Sequence, residues 1–159
     1  MKQQSWKAYG IGIVLSEAVG WLSGFLTRDG MRLYTAEALK PPLSPPSVVF
    51  PIVWTILFAL MGIGAARVYL APASVGRTRS LRLFLLQLLW NFFWSILFFG
   101  FQRYGLALIW LVLLWVLILR MLLAFRSADR PAALLQVPYL LWVTFAAYLN
   151  LGVWLLNRP

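Results

Sequence analysis

Cysteine and histidine are both absent from this chain of 159 residues. With them go disulfides, thiolate nucleophiles, zinc or haem held by thiolate or imidazole, and imidazole acid–base catalysis, so no metal site is expected. Charge is scarce as well: 11% of residues are charged, against about 25% in an ordinary soluble domain. What fills the chain instead is apolar, with 62% hydrophobic residues and a mean hydropathy of +0.82. That composition excludes a soluble globular domain and implies an integral membrane protein.

The fourteen lysines and arginines give a net charge of +10, which in a soluble chain would suggest nucleic acid. Here they lie at the ends of apolar runs rather than in one patch, so membrane lipid headgroups are the expected partner and nucleic acid is not. The first apolar run, about Tyr9 to Leu26, exceeds a signal-peptide core and has no small-residue cleavage site after it. It is therefore expected to remain as a spanning helix.

Apolar runs of about 20 residues recur over residues 8–27, 48–70, 80–101, 104–125 and 132–156. The expected fold is all-α: an integral membrane bundle of five transmembrane helices forming one domain over 1–159. No 20-to-50-residue repeat is visible. Lys2, Lys7, Arg67, Arg77, Arg79, Arg82, Arg120, Arg126 and Arg130 fall on one side of this topology, and Arg28, Arg32, Lys40, Arg103 and Arg158 on the other. The heavier side predicts a cytoplasmic N-terminus.

The connection over 28–47 is long for so small a bundle, and long loops in compact proteins tend to carry function. It contains KPPLSPP, Lys40 to Pro46. The four prolines fix φ near −65° and keep the residues before them out of the helical region, so this part is stiff and extended. Ser44 or Ser47 can cap the following helix, and Pro51 falls in its first turn. Such a segment either punctuates two helices or serves as a preorganised lid; sequence physics leaves both open.

Helical spacing places Trp54 and Phe58 on one face of the second run. In the third, Asn91, Trp94, Ser95 and Phe98 recur at i, i+3, i+4 and i+7. In the fifth, Trp142, Phe145, Ala146, Leu149 and Asn150 make a comparable stripe. An asparagine in hydrocarbon needs a partner, so Asn91 and Asn150 are expected inside the bundle, as interhelical glue or as pocket walls. Trp6, Trp21 and Trp154 sit near helix ends and suit an interfacial belt. Glu17, the one acid within a run, is either a functional carboxylate or a neutral hydrogen-bonded group. Ser16, Gly20 and Gly24 form a small-residue face for close helix approach.

Three motifs in order, KPPLSPPxxVFPIVWTILFALMG, WNFFWSILFFG and PYLLWVTFAAYLN, closely resemble the TspO/MBR family of tryptophan-rich sensory proteins and translocator (peripheral benzodiazepine receptor) proteins. The resemblance implies a five-helix bundle, a homodimer, and a receptor or sensor cavity beneath the first loop that takes protoporphyrin IX-like porphyrins and other planar hydrophobic small molecules. It implies a ligand-binding set of Pro45, Trp54, Phe58, Asn91, Trp94, Phe98, Trp142, Phe145 and Ala146, with no obligatory cofactor. Two alternatives come with it. One is light- and oxygen-dependent porphyrin degradation, in which Trp54 and Trp142 would be catalytic; the other is transport of porphyrin or another lipophile. Leu43 stands where many relatives have a loop tryptophan, and Leu33 with Tyr34 where they have a Trp-Tyr pair. Leu151 and Leu155 depart from the sterol-recognition pattern of the animal members.

Overall fold

The structure is a computed structural model describing residues 2–158, with side chains from Ser5 to Arg158. Met1 and Pro159, the ends of the expected domain, and the Lys2 side chain counted for orientation lie outside the described residues. All regular structure among the described residues is helical, and five helices are long and apolar enough to cross a membrane. They are α1 (Lys2–Leu26), α3 (Val49–Leu70), α4 (Val75–Ser95) prolonged by a π-helical turn (Ile96–Gly100), α5 (Tyr104–Ala128), and the pair α6 (Arg130–Leu134) and α7 (Val137–Asn157).

Three boundaries differ from the hydropathy reading. The connection over 28–47 is half helix: α2 (Arg28–Glu37) is amphipathic, starts with Asp29 in its first turn where the helix dipole favours an acid, and turns Met31 and Tyr34 inward. Its polar composition hid it from a search for apolar runs. The helix expected from Ser80 begins earlier, at Val75, because the Ser74 hydroxyl accepts the Arg77 N–H at 3.0 Å and caps it within a basic stretch. The fifth run is broken at Leu135 and Gln136, since Pro138 in the first turn of α7 has no N–H to continue the ladder from α6.

Without a hydrophobic drive between helices in lipid, association rests on close packing and internal hydrogen bonds. The α1–α3 contact is backbone to backbone, and a Cβ on Gly12 or Gly62 would strike the other glycine's carbonyl. Ser16 is buried one turn on, and the Phe58 ring lies over Gly20. The small face that joins these helices is therefore Gly12, Ser16 and Gly20; Gly24, expected to share it, meets nothing within 4 Å. The spine of the bundle is α5, whose Ala107, Leu111, Leu114, Ile118, Met121 and Phe125 recur at alternating steps of four and three and are fully enclosed between α4 and α7.

Asp129 joins two ends. Its carboxylate accepts Arg67 Nε and Nη2 at 2.9 and 3.0 Å and also caps α6 by accepting the Ala132 N–H at 2.7 Å. The Arg67 guanidinium first, and then the Ala132 amide, outweigh desolvation and hold the carboxyl below its ordinary range. A depressed carboxylate stabilises the fold above its unfolded pKa and loses that contribution as pH falls through the folded value. Melting in detergent should therefore show an acid-side loss beginning below about pH 4. Asp129→Asn should remove much of that loss and cost roughly 1–3 kcal/mol near neutrality.

Candidate functional site

The packing leaves a large cavity of about 1040 Å³ under the first connection, at the upper end of the ~300–1,000 Å³ usual for ligand pockets. Its walls come from α1, α3, α4 and α7 and its roof from α2 and the proline segment. Of the nine residues expected to bind ligand, Pro45, Trp54, Phe58, Asn91, Trp94, Phe98, Trp142 and Ala146 line it. Phe145 does not. Its ring sits behind the wall, between Trp142 at 5.7 Å and Tyr148 at 6.1 Å, because the cavity-facing line of α7 runs through Trp142, Ala146, Leu149 and Asn150.

On α4 the whole expected stripe faces the cavity, and Phe99 joins it. The π turn is the cause. Its extra residue per turn rotates the helix end, so that Phe98 and Phe99 present adjacent rings at 4.8 Å. Trp94 lies nearly parallel to Phe98 at 5.2 Å, and Trp54 tilts over Phe58 at 5.4 Å. Apolar ring faces thus dominate the lining.

The polar groups are few and placed. Asn91 Nδ2 donates to the Tyr139 hydroxyl at 2.9 Å, which donates to Gln87 Oε1 at 2.8 Å, a chain that ties α4 to α7. Trp94 Nε1 donates to Asn150 Oδ1 at 3.3 Å, and Asn150 Nδ2 donates to the Tyr104 carbonyl at 2.8 Å, joining α4, α7 and α5. Both asparagines are buried, at 2% and 1% exposure. Both also line the cavity, so the residues that link the helices stand in its wall as well. Tyr139 and Gln87 went unmarked in the sequence, although Tyr139 stands only three residues before Trp142.

The roof is held from two sides. Asn157 on α7 pairs with both backbone groups of Leu39, donating to its carbonyl at 2.8 Å and accepting its N–H at 2.9 Å. Tyr148 donates to the Pro42 carbonyl at 2.9 Å, and Pro41 packs on Gly152, where a Cβ would collide with its ring. At the other side, Gly30 lets α2 lie on the Phe99 carbonyl, and the Tyr34 ring meets Phe98, Phe99 and Tyr104 edge-on at 5.3 to 6.5 Å. Burial, with Tyr104 beside it, pushes the Tyr34 phenol up, so it stays neutral. Neither Ser44 nor Ser47 caps α3; the Ser44 hydroxyl donates to the Pro41 carbonyl at 2.7 Å instead. That tight turn holds Leu43 at φ 65° with its side chain 81% exposed and outside the cavity lining. Arg28, Arg32 and Lys40 edge the mouth.

The TspO/MBR family profile matches residues 12–155. A tryptophan-rich protein TspO of Chlorobaculum tepidum is 41% identical over 148 residues, 92% of each chain. The translocator protein of Ovis aries is 34% identical over 152 residues, 93% of this chain and 89% of its own. Protein CrtK of Rhodobacter capsulatus is 40% identical over 124 residues, 74% of each.

Tyr139 supplies both the acceptor for Asn91 and the donor for Gln87. Its replacement by phenylalanine should lower stability in detergent by about 1–3 kcal/mol, the cost of two stranded buried amides. Thermal unfolding followed by near-UV dichroism would measure it.

Proposed function

The chain belongs to the TspO/MBR family, and from that membership and the cavity beneath its roof we propose that it is a membrane receptor for porphyrin-like planar molecules. The observation that carries this reading is the composition of one space. Three indoles, Trp54, Trp94 and Trp142, stand with Phe58, Phe98 and Phe99 around a volume of about 1040 Å³. A flat, conjugated, largely apolar molecule matches such walls, each ring–ring contact contributing about 0.5–1.5 kcal/mol beyond area burial. Asn91 and Asn150 offer amide edges that can orient the ligand's nitrogens. Arg28, Arg32 and Lys40 at the mouth put positive charge where the carboxylates of a ligand would be favoured. A roof already pinned to α7 and to the π turn loses little entropy on binding.

A second reading draws on one further fact: Trp54 and Trp142 line the same cavity. Indole is an oxidisable ring, so a light-excited porphyrin held there has electron donors beside it, with dioxygen as oxidant. In that case the site degrades its ligand under illumination as well as binding it.

Protoporphyrin IX titrated against the intrinsic fluorescence of the protein in detergent should quench it saturably. Trp142→Ala should weaken the apparent affinity by about tenfold, a loss of roughly 1.4 kcal/mol; unchanged affinity would remove the assigned pocket. For the second reading, illuminated protein with Trp54→Phe and Trp142→Phe together should lose most of the oxygen-dependent consumption of protoporphyrin. A rate equal to wild type would eliminate degradation by these indoles.

A further inference from the structure

How a ligand reaches this cavity is decided by where its boundary is weak, and the roof is not that place. The roof's attachments, Asn157 with Leu39, Tyr148 with Pro42, Pro41 on Gly152 and Tyr34 against the π turn, all lead to α4, α5 and α7. Among the described residues no hydrogen bond joins α2 to α3. Opening the roof would strand the backbone groups of Leu39 and Pro42 and dismantle an aromatic cluster.

The side between α1 and α3 is different. These helices touch at Gly12 and Gly62 and are still in contact where Phe58 covers Gly20, but one turn nearer the roof Gly24 faces open space. Four cavity-lining positions border this gap, and they also belong to the outer surface of the spanning helices. Trp21 on α1 is 73% exposed, Pro51 and Thr55 on α3 are exposed, and Glu17 at the foot of the gap is partly exposed. Among the described residues the one ring contact of Trp21 is its stack on Phe25, itself half exposed, at 5.6 Å. Glu17 has no hydrogen-bond or ion-pair partner among the described residues. An unpaired acid at membrane depth is tolerated where it borders a polar or hydrated opening rather than closed hydrocarbon.

We propose that the cavity exchanges its ligand directly with the bilayer, through a lateral portal between the roof-side halves of α1 and α3. Trp21 and Gly24 form one edge, Pro51 and Thr55 the other, and Glu17 the sill. The occupant that passes is a lipophilic planar molecule dissolved in the membrane, which reaches the aromatic walls without crossing the polar roof. Rotation of one exposed indole suffices to widen the gap, whereas the roof route requires several buried or paired contacts to break. The proposal rests on the cavity being the ligand site.

Its test separates rates from affinity. With the protein in phosphatidylcholine vesicles kept in the dark, protoporphyrin IX is loaded into the lipid, and binding and release are followed by porphyrin absorbance. The equilibrium titration reports on the cavity as a binding site and is read before any rate. Gly24→Trp, and separately Thr55→Trp, should slow both association and release by about tenfold, whatever shift the equilibrium titration shows for these lining positions, because a narrowed path slows both directions whereas an altered site changes chiefly release. Because the chain has no cysteine, Leu39→Cys with Asn157→Cys supplies the sole thiol pair. Locking the roof to α7 by oxidation, or by a short bis-maleimide if the thiols stand apart, should leave both rates at the wild-type value. Exchange arrested by the locked roof, or wild-type rates in both tryptophan variants, would overturn the portal.

Discussion

Polar groups inside a bilayer have no water to fall back on, and the arrangement of this bundle follows from how its few polar side chains satisfy one another. Asn91, Tyr139 and Gln87 form one buried chain, and Trp94, Asn150 and the Tyr104 carbonyl another. Each crosses from α4 to α7, and the second continues to α5. Because an unpaired amide in hydrocarbon is costly, these links set the spacing of three helices at the level of the cavity floor. The same two asparagines stand in the cavity wall, which is why a bundle of such apolar composition can hold a cavity with polar residues at fixed places.

Packing against that frame is uneven along the helix axes. At the end away from the roof, glycine against glycine brings α1 onto α3, and the Arg67–Asp129 pair fastens α3 to the start of α6. At the roof end the π turn, Tyr34 and the α7 contacts close three sides. The α1–α3 side lacks such a fastening. One end of the molecule is thus tightly filled and the other hollow, with the aromatic stripes of α3, α4 and α7 lining the hollow.

Much of this is legible in the sequence. Hydropathy located five spans because a spanning helix must be long and apolar, and the 3.6-residue period placed Trp54 with Phe58, and Asn91 with Trp94 and Phe98, on common faces. The period failed at Phe145, where a shift of one residue along α7 decides between cavity and outer wall. It could not foresee that a π turn would bring Phe99 beside Phe98. No apolar run marks α2 either, whose ten polar-rich residues turn one face, with Met31 and Tyr34, inward.

Composition, run length and side-chain period by themselves determined the membrane location, the five spans and the candidate aromatic walls, because each depends only on the local chain and the bilayer around it. Partnership was decided in the folded protein: Asn91 with Tyr139, Asn157 with Leu39, Gly12 with Gly62, and Leu43 turned out to solvent by the Ser44–Pro41 turn. These pair residues through close contact between separate helices or through the exact path of a turn. Hydropathy and periodicity carry neither, so the pinning of the roof and the gap beside α1 became visible only when the helices were packed.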